Sequence, residues 1–146
     1  MKVTYKGDYA LKAILDLALH YEGALVTIGD MSRRINAPVK FLEQILLELK
    51  RGGFIESKRG KAGGYFLAKA PSQISVSDVL RLVEGSTEPI SCLKDGYAAC
   101  DDLDYCVFRK IWLEISEATA KIIDNVNFED LASQVKSSQD SFNYSI

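Results

Sequence analysis

The sequence predicts a mostly α fold with a small β-hairpin wing: a winged helix-turn-helix followed by a long dimerisation helix. Three features carry this expectation. Apolar residues recur at helical spacing through much of residues 5–51. A glycine-rich, cationic hairpin follows them. A second apolar series, Phe108, Ile111, Ile115, Ala118 and Ile122, steps by 3, 4, 3 and 4 residues. The chain has 146 residues, room for one compact domain with an appended helical arm.

Each element follows from local signals. Ala10, Ala13, Ile14, Leu17, Ala18 and Tyr21 form the apolar stripe of a first helix that begins near Tyr5 and is ended by Gly23. Thr27, with Asp30 three residues on, predicts a capping box and a short helix to about Ile35. Asn36 suits its C-terminal cap, and Pro38 suits the first position of a third helix. That helix buries Leu42, Ile45, Leu46 and Leu49, and Gly52-Gly53 stops it after Arg51.

Residues 54–58 and 65–68 are strand-like, rich in aromatic and branched side chains. Arg59-Gly60-Lys61-Ala62-Gly63-Gly64 connects them. A phosphate-binding nucleotide loop fits this connection poorly, because it lacks the Gly-Lys-Ser/Thr ending and leads into a strand. Pro71 breaks the chain, and Ser75 caps a helix over residues 76–84. Residues 85–104 read as an acidic loop, and a long helix starts near Tyr105. Its 3-4 spacing is that of a coiled-coil seam, which on so short a chain is expected to pack against a second copy. Asn127 caps a last helix over residues 128–135, and the Ser- and Gln-rich stretch 133–146 reads as flexible. The chain therefore divides into 1–84, the winged helix-turn-helix; 85–104, a cysteine-bearing loop; and 105–146, the dimerisation helix and C-terminal segment.

Composition narrows the function. With 47% hydrophobic and 26% charged residues, disordered and fibrous architectures are excluded. No apolar run reaches the roughly 20 residues of a membrane span, and residues 1–12 lack an apolar signal core, so a cytoplasmic location is expected. The net charge of −2 hides an asymmetry. Residues 1–70 hold 12 Lys/Arg against 7 Asp/Glu, whereas residues 71–146 hold 6 against 13. An anionic partner is therefore expected for the first half only.

In a helix-turn-helix the second helix enters the major groove by its N-terminal part. Here that part is Val39, Lys40 and Phe41, with Glu43 and Gln44 one turn on. Lys40 can reach phosphate or guanine, Glu43 can accept from cytosine, and Gln44 can pair with adenine; a solvated helix face is the alternative for the two charges. Arg59 and Lys61 at the wing tip suit phosphate or a narrow minor groove. No catalytic motif is present: Cys106 has no histidine near it in sequence, and the only histidine, His20, reads as a packing or surface residue.

Cys92, Cys100 and Cys106 are separated by seven and five residues. An odd number in a reducing compartment is no disulfide framework. The loop can wrap a compact cluster, and Cys106 stands at a helix N-terminus, where the dipole favours thiolate, the form that binds iron. Zinc is a competitor, although the close two-residue cysteine spacing usual for it is absent. Bare redox or packing thiols are the third option. Asp95, Asp101, Asp102 and Asp104 crowd the loop; they are a solvated acidic stretch or, beside a cluster, charges that disfavour its reduction.

The motifs in combination resemble one family. Tyr5-Lys6-Gly7-Asp8-Tyr9-Ala10, Phe41-Leu42-Glu43-Gln44, and Arg59-Gly60 with Gly63-Gly64-Tyr65 are similar to those of the iron–sulfur cluster regulators, winged-helix transcription factors that include IscR, NsrR, RirA and CymR. Asp78-Val79, Glu84-Gly85 and Trp112 also fit, and the likeness covers about residues 1–132. It implies a homodimer that binds palindromic double-stranded promoter DNA, with an iron–sulfur cluster (2Fe-2S or 4Fe-4S) on Cys92, Cys100 and Cys106. The histidine that IscR-like members place three residues after the last cysteine is Arg109 here, and arginine cannot ligate. NsrR-like members use an aspartate from the partner's N-terminal segment, and Asp8 occupies the matching position; a helix-start acid is its alternative reading. The cysteine gaps look more like those of RirA than those of IscR. CymR-like members imply the other outcome: the same DNA-binding fold without a cluster, acting through a thiol switch, zinc or a partner protein.

Overall fold

The computed structural model describes residues 1–144, with 141–144 described as backbone alone. Helix α1 (Tyr5–Leu19) is followed by α2 (Ile28–Ile35) and α3 (Val39–Arg51), then by the hairpin strands β1 (Ile55–Lys58) and β2 (Gly64–Leu67). A 3-10 turn at Pro71–Gln73 leads to α4 (Val76–Glu84). A second one at Ser91–Leu93 lies in the loop before α5 (Val107–Ile123), and α6 (Phe128–Tyr144) closes the chain. The predicted class, helical with a two-stranded wing, is the observed one.

Capping chemistry sets most boundaries. The Thr27 hydroxyl accepts from Asp30 N–H at 3.2 Å, but only half of the expected box forms, because the Asp30 carboxylate turns to Arg33. The box at α4 is complete: Ser75 Oγ accepts from Asp78 N–H, and the Asp78 carboxylate accepts from Ser75 N–H, both at 3.1 Å. Between α2 and α3, Asn36 adopts φ 53° and ψ 49°, the left-handed conformation its short polar side chain tolerates. Ser32 Oγ donates to Ala37 O at 2.6 Å and braces that turn. Pro38 is the N-cap of α3 and not its first residue. The first helix stops at Leu19, with His20 as its cap, before Gly23 is reached.

The core lies where α1, α3 and α4 meet beneath the hairpin. Ile14, Leu17, Met31, Leu42, Ile45, Leu46, Leu49, Ile55 and Val79 are buried there. Each such side chain contributes about 1.5–3 kcal/mol relative to exposure, so this packing holds the helix-turn-helix angle. The hairpin pairs Ile55 with Leu67 and Lys58 with Gly64 in antiparallel register. Val26 extends it with a two-bond bridge to Tyr65, at 3.0 and 2.7 Å. Gly64, at φ 153°, passes so close to that bridge that a Cβ would lie 2.6 Å from Val26 O.

The C-terminal segment differs from expectation. Residues 133–144 continue α6 as helix, and residues 145–146 lie outside the described residues. Phe128 and Ala132 join the core, and α6 runs along α1, which supplies the tertiary packing that a Ser- and Gln-rich helix needs. Helix α5 is the opposite case, with none of its residues buried. Its seam residues Phe108, Ile111, Ile115 and Ile122 are 61%, 49%, 43% and 65% exposed. No helix among the described residues is long and apolar enough to cross a membrane.

Candidate nucleic-acid interface and cysteine loop

The N-terminal end of α3 is free of the protein core. Val39, Lys40, Glu43 and Gln44 are exposed there, whereas Leu42, Ile45 and Leu46 face inward. Phe41 departs from the group: it is half-buried, and its ring meets Tyr9 edge-on at 5.7 Å between centroids, so it ties α3 to α1. Lys6 adds a second tie, an ion pair to Glu48 at 2.6 Å. A third runs from α1 to α2, where Arg34 Nε and a terminal nitrogen grip both oxygens of Asp16 at 2.8 and 2.9 Å. Asp16 is 5% exposed. Such a bidentate pair fixes orientation as well as distance.

Arg59 and Lys61 stand exposed at the wing tip. The turn between the strands closes through Gly63 N–H to Gly60 O at 3.0 Å, and Gly60 adopts φ 109°. Lys50 Nζ donates to Ser57 Oγ at 2.7 Å, joining the end of α3 to β1. Exposed Arg33, at the end of α2, adds a cation beside the helix-helix turn that the sequence reading did not single out. The structure thus exposes Lys40, Glu43, Gln44, Arg59 and Lys61 on α3 and the hairpin, two elements in contact, and it half-buries Phe41. His20 is a surface residue whose Nδ1 meets Asp16 O at 2.7 Å.

The cysteines lie along the connection between α4 and α5. Cys92 and Cys106 are half-buried, Cys100 is exposed, and all three are free thiols. Cys92 sits in the 3-10 turn that packs on α5. Cys106 is the N-cap of α5, and its side chain makes no capping bond. Ser116 Oγ donates to Glu88 and fastens the loop to the middle of α5. Asp8 is half-buried at the start of α1 and accepts from Lys12 Nζ at 2.7 Å, a bond that raises the Lys12 pKa. Among the described residues, no three His, Cys, Asp or Glu side chains are gathered closely enough to hold a metal ion. In kind, the donor set suits an iron–sulfur cluster: three unpaired sulfurs on one loop, one of them at a helix N-terminus. A further sign is a buried Nε on Arg109 with no hydrogen-bond partner. The residues fit the group in chemistry, while the loop holds them apart.

One network joins the root of this loop to α1 and was missed in the sequence. Glu84, the last residue of α4, accepts from Thr4 N–H at 2.8 Å, Thr4 Oγ1 at 2.6 Å and Gly7 N–H at 3.1 Å. Burial works against its charge, but those bonds and the nearby Lys6 outweigh it and hold the Glu84 carboxyl below its ordinary pKa. No periodicity could have revealed a contact across 77 residues.

The comparisons agree with this geometry. The family model Rrf2, described as an iron-dependent transcriptional regulator, matches residues 3–134. An rrf2-like HTH-type transcriptional regulator of Rhodobacter capsulatus is 38% identical over 136 residues, covering 88% of this chain and 91% of that protein. The HTH-type transcriptional regulator IscR of Yersinia enterocolitica is 34% identical over 131 residues, covering 90% and 79%. Among solved structures, CymR, the global cysteine regulator of B. subtilis, superposes with a TM-score of 0.78 at 30% identity, covering 92% of this chain and 98% of that one. The winged fold, the exposed reading helix and these likenesses place the chain in the Rrf2 family of transcriptional regulators.

Proposed function

We propose that this Rrf2-family regulator is a cytoplasmic homodimer that reads palindromic DNA and senses iron, redox state or nitric oxide through an iron–sulfur cluster on Cys92, Cys100 and Cys106. The observation that carries the reading is the placement of three unpaired thiols on one loop fastened to α5, outside the core. The exposed seam from Phe108 to Ile122 is the face that buries against a second copy, and a two-fold dimer matches a two-fold operator. The partner subunit's Asp8 supplies the remaining ligand once it releases Lys12.

When bound, the cluster supplies iron that reacts with oxidants or nitric oxide. The chain's own residues pass the result on. Cys106 anchors the loop to α5, Glu84 ties its other root to the N-terminus of α1, and Tyr9 and Lys6 tie α1 to α3. Loop conformation and reading-helix position therefore share a continuous path, and a coupling of about 1–3 kcal/mol in DNA affinity is expected. Lys40, Glu43 and Gln44 read base edges, Arg59 and Lys61 hold the backbone or minor groove, and Val39 offers apolar contact.

A second reading is favoured by the separation of the three sulfurs: the same DNA-binding dimer without a cluster, using a thiol switch, zinc or a partner protein. DNA affinity separates the two. In the cluster reading, nitric oxide or iron chelation shifts wild-type affinity for a palindromic site about 5- to 150-fold and leaves Cys106→Ala unmoved. If the wild type responds to diamide or zinc chelation but not to nitric oxide, the second reading stands.

A further inference from the structure

We propose that Arg109 serves the cysteine site without ligating it: its guanidinium donates a hydrogen bond to the Cys106 sulfur of the loaded site and raises the reduction potential of the group held there. This rests on the cluster reading above. Among the described residues, Arg109 Nε is the one buried side-chain nitrogen or oxygen with no hydrogen-bond partner. A buried N–H left unpaired costs about 1–3 kcal/mol, and more when the group is charged. Folded proteins rarely keep such a group without a reason.

The position of Arg109 indicates its missing partner. Val107 is the first residue of α5, so Arg109 is the third, and Cys106 is the N-cap. In a capping box, the side chain at the third position reaches back to accept from the N-cap backbone N–H, so position 109 lies within side-chain reach of Cys106. Here that position holds a cation, and the N-cap side chain is a thiol with no capping bond of its own. A cation in the first turn also opposes the helix dipole, a cost that a nearby anion removes. The loop acids do not fill that role: Asp95, Asp101, Asp102 and Asp104 are exposed, and Arg109 forms no ion pair among the described residues. Arginine has donors only and stays charged, so the partner must be an acceptor, and the Cys106 sulfur of the loaded site is the side-chain acceptor nearest in sequence.

Hydrogen bonds to cluster sulfurs and positive charge beside them both raise a cluster's potential. Arg109 thus counteracts the four loop aspartates. It tunes the point at which the site responds, which makes it a positioning and tuning residue, not a ligand.

The test uses full-length protein reconstituted anaerobically with iron and sulfide, as wild type, R109Q and R109K. Potential is followed by redox titration of the visible spectrum, and retention by the rate of bleaching in a ferrous chelator. R109Q is expected to lower the midpoint potential and to weaken retention by about 10-fold or more, the usual effect of losing an outer-shell partner. R109K, which keeps the charge but loses the planar fork, falls between and carries the comparison if R109Q folds poorly by far-UV dichroism. Coloured variants with wild-type potential and retention overturn the role of Arg109 and leave the cluster reading intact. A wild type that stays colourless overturns the cluster reading and this inference with it.

Discussion

Gly7 lies against Glu84: its N–H donates to Glu84 Oε1 at 3.1 Å, and a Cβ at position 7 would fall 2.2 Å from that oxygen. The glycine leaves the space in which a carboxylate arriving from the end of α4 reaches the helix start. Gly7→Ala pushes that carboxylate off the helix start and breaks its bonds to Thr4 and Gly7. Three bonds at about 1 kcal/mol each are lost against a gain of about 1 kcal/mol in helix propensity, so a net loss of about 1–2 kcal/mol is expected by urea unfolding.

The same contact makes stability depend on acidity. The folded-state pKa of Glu84 lies below its ordinary value, so its contribution is present above the unfolded pKa and is lost as pH falls through the folded one. Glu84→Gln should flatten that part of the stability profile, read as unfolding midpoints across the acidic carboxylate range. Identical slopes in mutant and wild type would deny Glu84 this role.

Arg34→Ala leaves the buried Asp16 carboxylate without a partner. Breaking one side of a buried pair typically costs about 3–5 kcal/mol; because Arg34 itself is 40% exposed, about 2–3 kcal/mol is expected here. Replacing both residues with apolar ones of similar size should recover much of the loss. Chemical unfolding of the single and double variants gives the comparison.

On DNA, Arg59→Ala and Gln44→Ala should fail differently. The wing variant should bind many sequences more weakly and show a shallower salt dependence if Arg59 holds phosphate, or lose its preference for A·T-rich flanks if it reads groove width. The helix variant should lose about 1–3 kcal/mol at one base position and keep its non-specific binding. Fluorescence anisotropy over a salt series and a set of single-base operators separates the two. Wild-type affinity in both would contradict the proposed interface.

Replacing Ile111 and Ile115 with glutamate should give monomers in sedimentation that bind a palindromic site poorly, since each protomer reads one half-site. A double variant that remains dimeric places the interface on another surface.

Features with a local cause were legible in the sequence. Thr27, Asn36 and Ser75 cap as their chemistry dictates, and glycines at the wing tip mark a turn within two residues of its observed place. Features made by distant contacts were not. Local competition was also hidden: the Asp30 carboxylate was captured by Arg33 one turn on, which left the capping box half-formed. Phe41 lies on the proposed reading helix but packs its ring edge-on against Tyr9. The tail after Ser133 has weak helix formers, yet it contains no Pro or Gly, and α1 gives it a surface to pack on. At the cysteine site, the residue types and spacing were visible, but the Glu84 network and the unpaired Arg109 Nε depend on the fold.

The central claim is that the three cysteines hold iron and sulfide. Protein purified without oxygen and assayed for iron, acid-labile sulfide, zinc and visible absorption tests it most directly. The account predicts a coloured protein with matching iron and sulfide, and loss of both in Cys92→Ala, Cys100→Ala and Cys106→Ala. A colourless wild type that contains zinc or bare thiols, with DNA binding intact, would contradict it.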